Sequence, residues 1–420
     1  MIGSELPKGW KLVPLKEITS IIRGVSYPKE EAKLHPEENY VHILRGGNIQ
    51  DGKIVFETDD NVYVNSSLVG EEQFVFKDDV VIVASTGSKK VIGKAATIEE
   101  DSRCISFGAF LLLLRTNVID KRFHSYFFQT QYYRNTISSL AGGININNIK
   151  KEHIENLQIP LPPLTEQKQI AEKLDKLFDQ IETIKEASNR IPELLKNFRQ
   201  QVLSYAVTGK LTDSDYESWE LKTLDEIAIP KAGYAFKATD FIDNGIQVIR
   251  MGNLYDNKLS LDRNPVFVPE NYDTDIIERS RVKRNDILLT LTGTKYKRDY
   301  GYAIKIDTDE VLLLNQRILS LTPLIDPDYL LLVLRSDEFR NQFFEFETGG
   351  VNQGNVGVKN VMTIKLHIPS PRIQEEIVRR TKILFNILDN VERRYNILCE
   401  KLDKLPQALL GKAFNGELIL

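Results

Sequence analysis

Ile170 to Tyr205 reads IAEKLDKLFDQIETIKEASNRIPELLKNFRQQVLSY, and its spacing decides the architecture. Steps of four and three residues land on Ile170, Leu174, Leu177, Ile181, Ile184, Ser188, Ile191, Leu195, Phe198, Val202 and Tyr205. A seam of this kind keeps one stripe of a long helix against a partner helix. Shifted by 207 residues, the chain supplies Ile377, Thr381, Leu384, Leu388, Val391, Tyr395, Leu398, Leu402, Leu405, Leu409 and Lys412. The second seam keeps the register of the first.

At about 1.5 Å per residue, roughly 40 helical residues reach roughly 60 Å, longer than a compact domain needs. Each stretch is therefore expected to take the other as its partner. Copies related by a pseudo-two-fold axis place the two helices antiparallel. Pro192 and Pro406 lie inside the seams and are expected to kink or split them.

Outward from the helices, the chain reads as one unit written twice. Its only tryptophans, Trp10 and Trp219, open similar lines: Leu12, Leu15 and Ile18 follow the first, and Leu221, Leu224 and Ile227 the second. Arg45-Gly46-Gly47-Asn48 answers to Arg250-Met251-Gly252-Asn253. Asp79 to Ile82 before Thr86-Gly87-Ser88 parallels Asp286 to Leu289 before Thr292-Gly293-Thr294, each a buried strand ending in a glycine turn. Asp120 and Asp326 stand where a side chain caps a helix, with Pro327 suited to the first helical position. Amide-rich loops follow at Asn145 to Asn148 and Asn352 to Asn355, and the proline runs Ile159 to Pro162 and Ile368 to Pro371 lead into the seams.

The resulting fold class is α+β: two similar mixed α/β domains and two long antiparallel helices forming an intramolecular coiled coil. The expected boundaries are residues 1–158, 159–211, 212–367 and 368–420.

Composition narrows the function classes. With 420 residues, 42% apolar and 27% charged, the chain has room for two or three cores, and no run approaches the length of a membrane span. The start, MIGSELPKGW, lacks the apolar core of a secretory signal, so a cytoplasmic location is expected. Cys104 and Cys399 are too few for a disulfide framework or structural zinc, and the five histidines lack ligand spacing, so no metal or cofactor is expected. A net charge of −4 concentrates any nucleic-acid binding into local clusters.

Motifs of catalysis come close and miss. Gly87 to Gly93 has five residues between its glycines and Ala95 after Lys94, where a phosphate loop has four and a hydroxyl. Asn264-Pro265-Val266-Phe267 has valine where the base-gripping motif of adenine methyltransferases has a second proline. After Asp328, no Asp/Glu-x-Lys completes a nuclease metal site over the next 30 or so residues. The turns instead carry donors suited to base edges and phosphates: Thr294, Lys295, Tyr296, Lys297 and Arg298 after Gly293; Ser88, Lys89 and Lys90 after Gly87; Tyr234, Phe236 and Lys237 after Gly233; and Asn315-Gln316-Arg317.

The run Ile159-Pro160-Leu161-Pro162-Pro163-Leu164-Thr165-Glu166-Gln167-Lys168, the segment Phe198 to Leu203 with its tail Ala206 to Leu211, and Leu405 to Leu410 through Gly416-Glu417-Leu418 resemble the specificity subunits of Type I restriction-modification enzymes. The likeness covers essentially the whole chain, duplication included. It implies a DNA-binding subunit without catalysis of its own, whose two target-recognition domains each read half of a bipartite, asymmetric site in double-stranded DNA. The helices then set half-site spacing. Two adenine-methylating M subunits dock on the chain, and R subunits add translocation and cleavage. Expected DNA contacts are Arg45, Asn48, Ser88, Lys89, Lys90, Asn145 and Asn147 in the first copy. In the second they are Tyr234, Phe236, Lys237, Arg250, Asn253, Thr294 to Arg298, Arg317, Asn352, Gln353 and Asn355. Two other readings stay open: a coiled-coil scaffold with protein-binding ends, and an enzyme with an unrecognised site.

Overall fold

The seams form helices. In the computed structural model, which describes residues 6–50, 52–56, 61–88, 90–140, 147–295, 297–350 and 353–418, they are α1 (Leu164–Ser188), α2 (Ile191–Val207) and α3 (Pro371–Phe414). Pro192 falls in the first turn of α2, where a missing N–H costs nothing, so the first seam is split at residues 189–190. Pro406 does not split its seam. It lies inside α3, which continues through it as one helix of 44 residues.

By its internal contacts the chain forms two units, Met1–Ser188 with Ile397–Leu420, and Asn189–Asn396. In the first unit, α1 and the last turns of α3 run antiparallel. Lys173 Nζ donates to the Leu418 carbonyl (2.5 Å) and Lys185 pairs with Asp403 (3.0 Å), so partner numbers fall as the others rise. In the second unit, α2 and the first part of α3 do the same: Arg199 meets Asp389 at 2.5 Å and Glu392 at 3.0 Å, and Arg380 donates to the Leu211 carbonyl at 2.8 Å.

Seam residues near the globular parts are buried, among them Leu174, Ile181, Leu388 and Leu402. Leu177, Ile191, Leu195 and Leu384 are partly covered. The seam is not closed throughout, however: Ile184, Phe198, Val391, Leu398 and Leu405 are exposed. A pair of helices covers only the stripe between them, and positions at its edge stay open where no third layer packs.

Each unit holds a four-stranded antiparallel sheet with the same strand order. In the first, the order is Ser20–Arg23, Leu111–Arg115, Val80–Val83, Ala95–Thr97; in the second it is Ala228–Ala232, Ile318–Pro323, Ile287–Thr290, Ala303–Lys305. A second small sheet contains one parallel pair, Tyr40–Leu44 with Ile105–Phe107, and Ile246–Ile249 with Leu312–Leu314. The proline runs are not mere helix breakers. Gln158–Leu161 pairs with Lys11–Pro14, and Lys365–Ile368 with Glu220–Thr223, so the start of each copy is stitched to the entrance of its helix.

The caps form as spacing predicts: Asp120 accepts from the amides of Arg122 and Phe123, and Asp326 from that of Tyr329. In the first core, Phe123, Phe127 and Tyr133 pack with Leu174 of α1 and with Leu410, Ala413 and Phe414 of α3. The second packs Tyr329, Phe339 and Phe343 with Leu203 and Val207 of α2 and Ile377 of α3. Each globular part is thus anchored to two helices by large apolar side chains, each of which contributes about 1.5–3 kcal/mol when fully buried.

Candidate nucleic-acid interface

In the second unit, antiparallel pairing brings three loop origins to one end of the four-stranded sheet. Thr290 ends its strand opposite Ile318, where the neighbouring strand begins, and Ala232 ends beside Leu319. Loops 233–237, 291–299 and 315–317 therefore leave from the same edge. The parallel pair delivers a fourth. Ile249 lies beside Leu314, so Arg250 to Asn253 follow at the same level, and the Asn315 amide donates to the Ile249 carbonyl (3.1 Å).

Gly233 permits this convergence. A Cβ built on it meets the Asn315 carbonyl oxygen at 2.0 Å, closer than any side chain tolerates. The close approach lets the Tyr234 amide donate to Leu314 O (2.8 Å) and the Gln316 amide to Tyr234 O (3.0 Å). Tyr234 and Phe236 then stack edge to face, 5.0 Å between centroids.

Between these loops lies a cleft of about 420 Å³ lined by Arg250, Arg263, Arg317, Asn264, Asn315 and Gln316, together with Met251, Gly252 and Asn253. None of these is a carboxylate. Arg250 turns one guanidinium nitrogen onto the Asn264 carbonyl (2.7 Å), while Arg263 and Arg317 are exposed residues. Asn253 lies beneath, 2% exposed, accepting from the Arg250 amide (2.9 Å) and donating to the carbonyls of Ser260 (2.9 Å) and Arg263 (2.8 Å). It holds the returning loop and does not face solvent. Asn48 does the same in the first unit: it is fully buried, accepting from the Arg45 amide and donating to the Val55 carbonyl, both at 2.8 Å. Both asparagines, expected as DNA contacts, instead spend their side-chain amides on the turns around them.

The glycine turns and amide loops are brought together in both units. Thr292–Gly293 pairs with Gly354–Asn355, and Ser85–Thr86 with Asn147–Asn148. In the second unit Lys295 Nζ donates to the Gly349 carbonyl (3.2 Å), which ties one turn to the other and makes Lys295 partly structural. Lys297, Gln353 and Asn355 are exposed, as are Lys237, Ser88 and Lys90. The Thr294 amide donates to Asp299 (2.7 Å), and Arg298 lies over the Phe344 ring at 5.0 Å. Arg340 braces this turn from behind, donating to the carbonyls of Gly301 (2.7 Å) and Arg298 (3.2 Å); burial pulls its pKa below the usual arginine range. Lys89, Asn145, Tyr296 and Asn352 lie outside the described residues, and Asn147 is described by its backbone only.

The first unit repeats the frame with different side chains. Val25 bridges Gly108 as Tyr234 bridges Asn315, and a Cβ on Gly24 meets the Gly108 oxygen at 2.1 Å. Its cleft, about 720 Å³, is lined by Tyr27, Leu34, Arg45, Thr86, Ala109 and Phe110 among others. Where the second unit has Arg317, the first has Phe110, 65% exposed. Arg263, Asn264 and Phe110 were not singled out as contacts from sequence. The pairing of Arg45-Gly-Gly-Asn with its copy marked the floor of each cleft, but nothing in the spacing marked the loop that closes over it.

The model of the Type I restriction modification DNA specificity domain matches residues 7–193 and again 216–398. The chain belongs to that family. It is 34% identical over 433 residues to the Type I restriction enzyme EcoKI specificity subunit of Escherichia coli K12, and 32% identical over 444 residues to the StySPI specificity subunit of Salmonella potsdam, covering all of this chain and 91% of each relative. In fold it is similar to the HsdS subunit from Thermoanaerobacter tengcongensis (TM-score 0.69, 17% identity, 99% of this chain and 98% of that one). A chain from a structure of complex assembly in the type I R-M system matches equally well, over 99% of this chain and all of that one. The double match agrees with the internal repeat, and the chain is a specificity subunit of a Type I restriction-modification system carrying two DNA-recognition domains. Among the described residues no group of three or more His, Cys, Asp or Glu side chains is placed to hold a metal ion, and no helix is long and apolar enough to cross a membrane.

Proposed function

We propose that the loops at one end of each sheet read one half of a bipartite, asymmetric DNA site. The reading domains span residues 1–158 and 212–367, and the helical segments 159–211 and 368–420 set the spacing between halves. One observation carries this: the same backbone frame, down to the glycine that lets two loops touch, presents Phe110 and small residues in one unit and Arg317 with amides in the other. A kept frame with changed loop chemistry is what reading two different base sequences requires.

Helix α3, 44 residues long, spans about 66 Å at about 1.5 Å per residue, on the scale of two turns of duplex. Its exposed apolar residues Ile383, Ile387 and Val391, with Leu194 and Phe198 on α2, form a surface for methyltransferase subunits. Those subunits carry out adenine methylation, and translocating restriction subunits join them. The chain itself contributes recognition and no catalysis, in the cytoplasm.

Selection of bound duplexes from a random pool by the chain assembled with its methyltransferase subunits tests the proposal. Two short conserved blocks separated by a fixed number of unconserved base pairs are expected. A single continuous block, or none, contradicts it.

A further inference from the structure

The cleft of the second unit concentrates guanidinium and amide groups in a chain whose net charge is −4. Arg263 and Arg317 make no side-chain hydrogen bond, ion pair or ring contact among the described residues, although exposed arginines elsewhere in this unit, such as Arg284 with Asp307 and Asp309, find carboxylates. Holding unneutralised cations at one cleft is unfavourable for the isolated chain, which points to an electron-rich ligand. Asn315 and Gln316 stand beside Arg317, and the Asn315 side-chain oxygen is already engaged by the Gln316 amide (2.7 Å), which leaves its NH₂ as a donor. The lining therefore offers the guanidinium groups of Arg263 and Arg317 and the Asn315 NH₂ as donors, beside the Asn264 and Gln316 amides, which both donate and accept.

A phosphate asks only for charge, which a lysine supplies as well. This cleft has no lysine; it has planar forks that match the paired N7 and O6 acceptors of guanine in the major groove. Resting on the reading of this chain as a DNA-specificity subunit, we infer that Arg263 and Arg317 read guanine in the half-site recognised by the second unit. Arg250 serves as a positioning residue through its bond to the Asn264 carbonyl. The first unit, with Phe110 in the place of Arg317, does not read guanine at that position.

The experiment uses the full chain assembled with its methyltransferase subunits, as wild type and as Arg317→Gln, Arg263→Gln and Arg317→Lys. Affinity is measured for the selected duplex, for the same duplex with each guanine replaced in turn by 7-deazaguanine, and for unrelated duplex. Replacement at one or two positions of a single block is expected to weaken wild-type binding on the order of 10-fold to 100-fold. Arg317→Gln should show the same loss on the unmodified duplex and no further loss at its own guanine. Arg317→Lys should keep the affinity for unrelated duplex while losing the guanine preference. Both side chains are exposed, so an unchanged melting temperature confirms that folding is intact. Uniform weakening on every duplex, with a shallower salt dependence, would make these residues phosphate clamps and overturn the inference while leaving the chain a DNA reader. Full retention of the guanine preference in both glutamine variants overturns it as well. If the wild-type assembly shows no preference among duplexes, the functional reading itself fails.

Discussion

Phe110 and Arg317 occupy the same position in their respective units. The Phe110 carbonyl accepts from the Ala84 amide at 2.9 Å, and the Arg317 carbonyl from the Leu291 amide at 3.2 Å, each from the strand exit that precedes a glycine turn. One aromatic and one cationic side chain thus stand at equivalent points of the two clefts. Phe110→Ala is expected to weaken binding about 3-fold to 30-fold through the block read by the first unit, by loss of apolar contact with a base, and to leave preference in the other block intact. Because Phe110 is 65% exposed, the melting temperature should change little. Duplex selection with the variant checks both.

Asn253→Ala removes three hydrogen bonds, leaving the partly covered turn with the Arg263 carbonyl unpaired and the Ser260 carbonyl held only by the Arg263 amide at 3.4 Å. A destabilisation of about 2–3 kcal/mol is expected, measured by denaturant unfolding of the full chain. The loop bearing Arg263 should lose its place as well, so sequence preference falls further than stability alone explains. An unchanged preference in the folded variant would remove Asn253 as the support of the cleft.

Lys295, Lys297 and Arg298 were read from sequence as phosphate contacts. The bond from Lys295 to the Gly349 carbonyl divides the group: Lys297 and Arg298 remain exposed for phosphate, whereas Lys295 also holds two turns together. Reversing Lys297 and Arg298 to Glu should lower affinity for all duplexes alike and flatten the slope of log K against log salt by about one to two units. Titration of binding from low to moderate salt measures it.

His124 is completely buried in the first core, with Thr19 Oγ1 2.9 Å from its Nε2, and burial pushes its pKa down to about 3 from 6.5. The folded chain refuses a proton that the unfolded chain accepts once the pH falls below 6.5. Stability contributed at neutral pH is therefore lost progressively from pH 6.5 towards 3, with a slope approaching about 1.4 kcal/mol per pH unit. His124→Leu should flatten the dependence between pH 6.5 and 5, read from denaturation midpoints across that range.

Periodic and local features were legible in the sequence. The seam from Ile170 to Tyr205 gave its helices, Asp120 and Asp326 gave their caps, and Pro192 gave a break, because each acts within one or two turns of its own backbone. Pro406, by contrast, leaves α3 unsplit. Pairings between distant segments were hidden. Gln158–Leu161 finds Lys11–Pro14 across almost the whole first domain, and neither carries a register signal of its own. The candidate site divided in the same way. Residue types on the turns marked the sheet end used in the proposal, but an exposed asparagine and a buried one are the same letter, so the burial of Asn48 and Asn253 was not legible. Arg263 was missed because only the folded turn, held by Asn253, carries it beside Arg250 and Arg317.

On the proposed function, this one chain dictates which adenines its partners modify. Mapping methyladenine across the DNA of cells with and without the gene for this chain tests it most directly. A two-part motif with a fixed gap is expected, which disappears when the gene is removed and returns with guanine relaxed in one part when Arg317→Gln is supplied. A methylation pattern unchanged by removing the gene would contradict it.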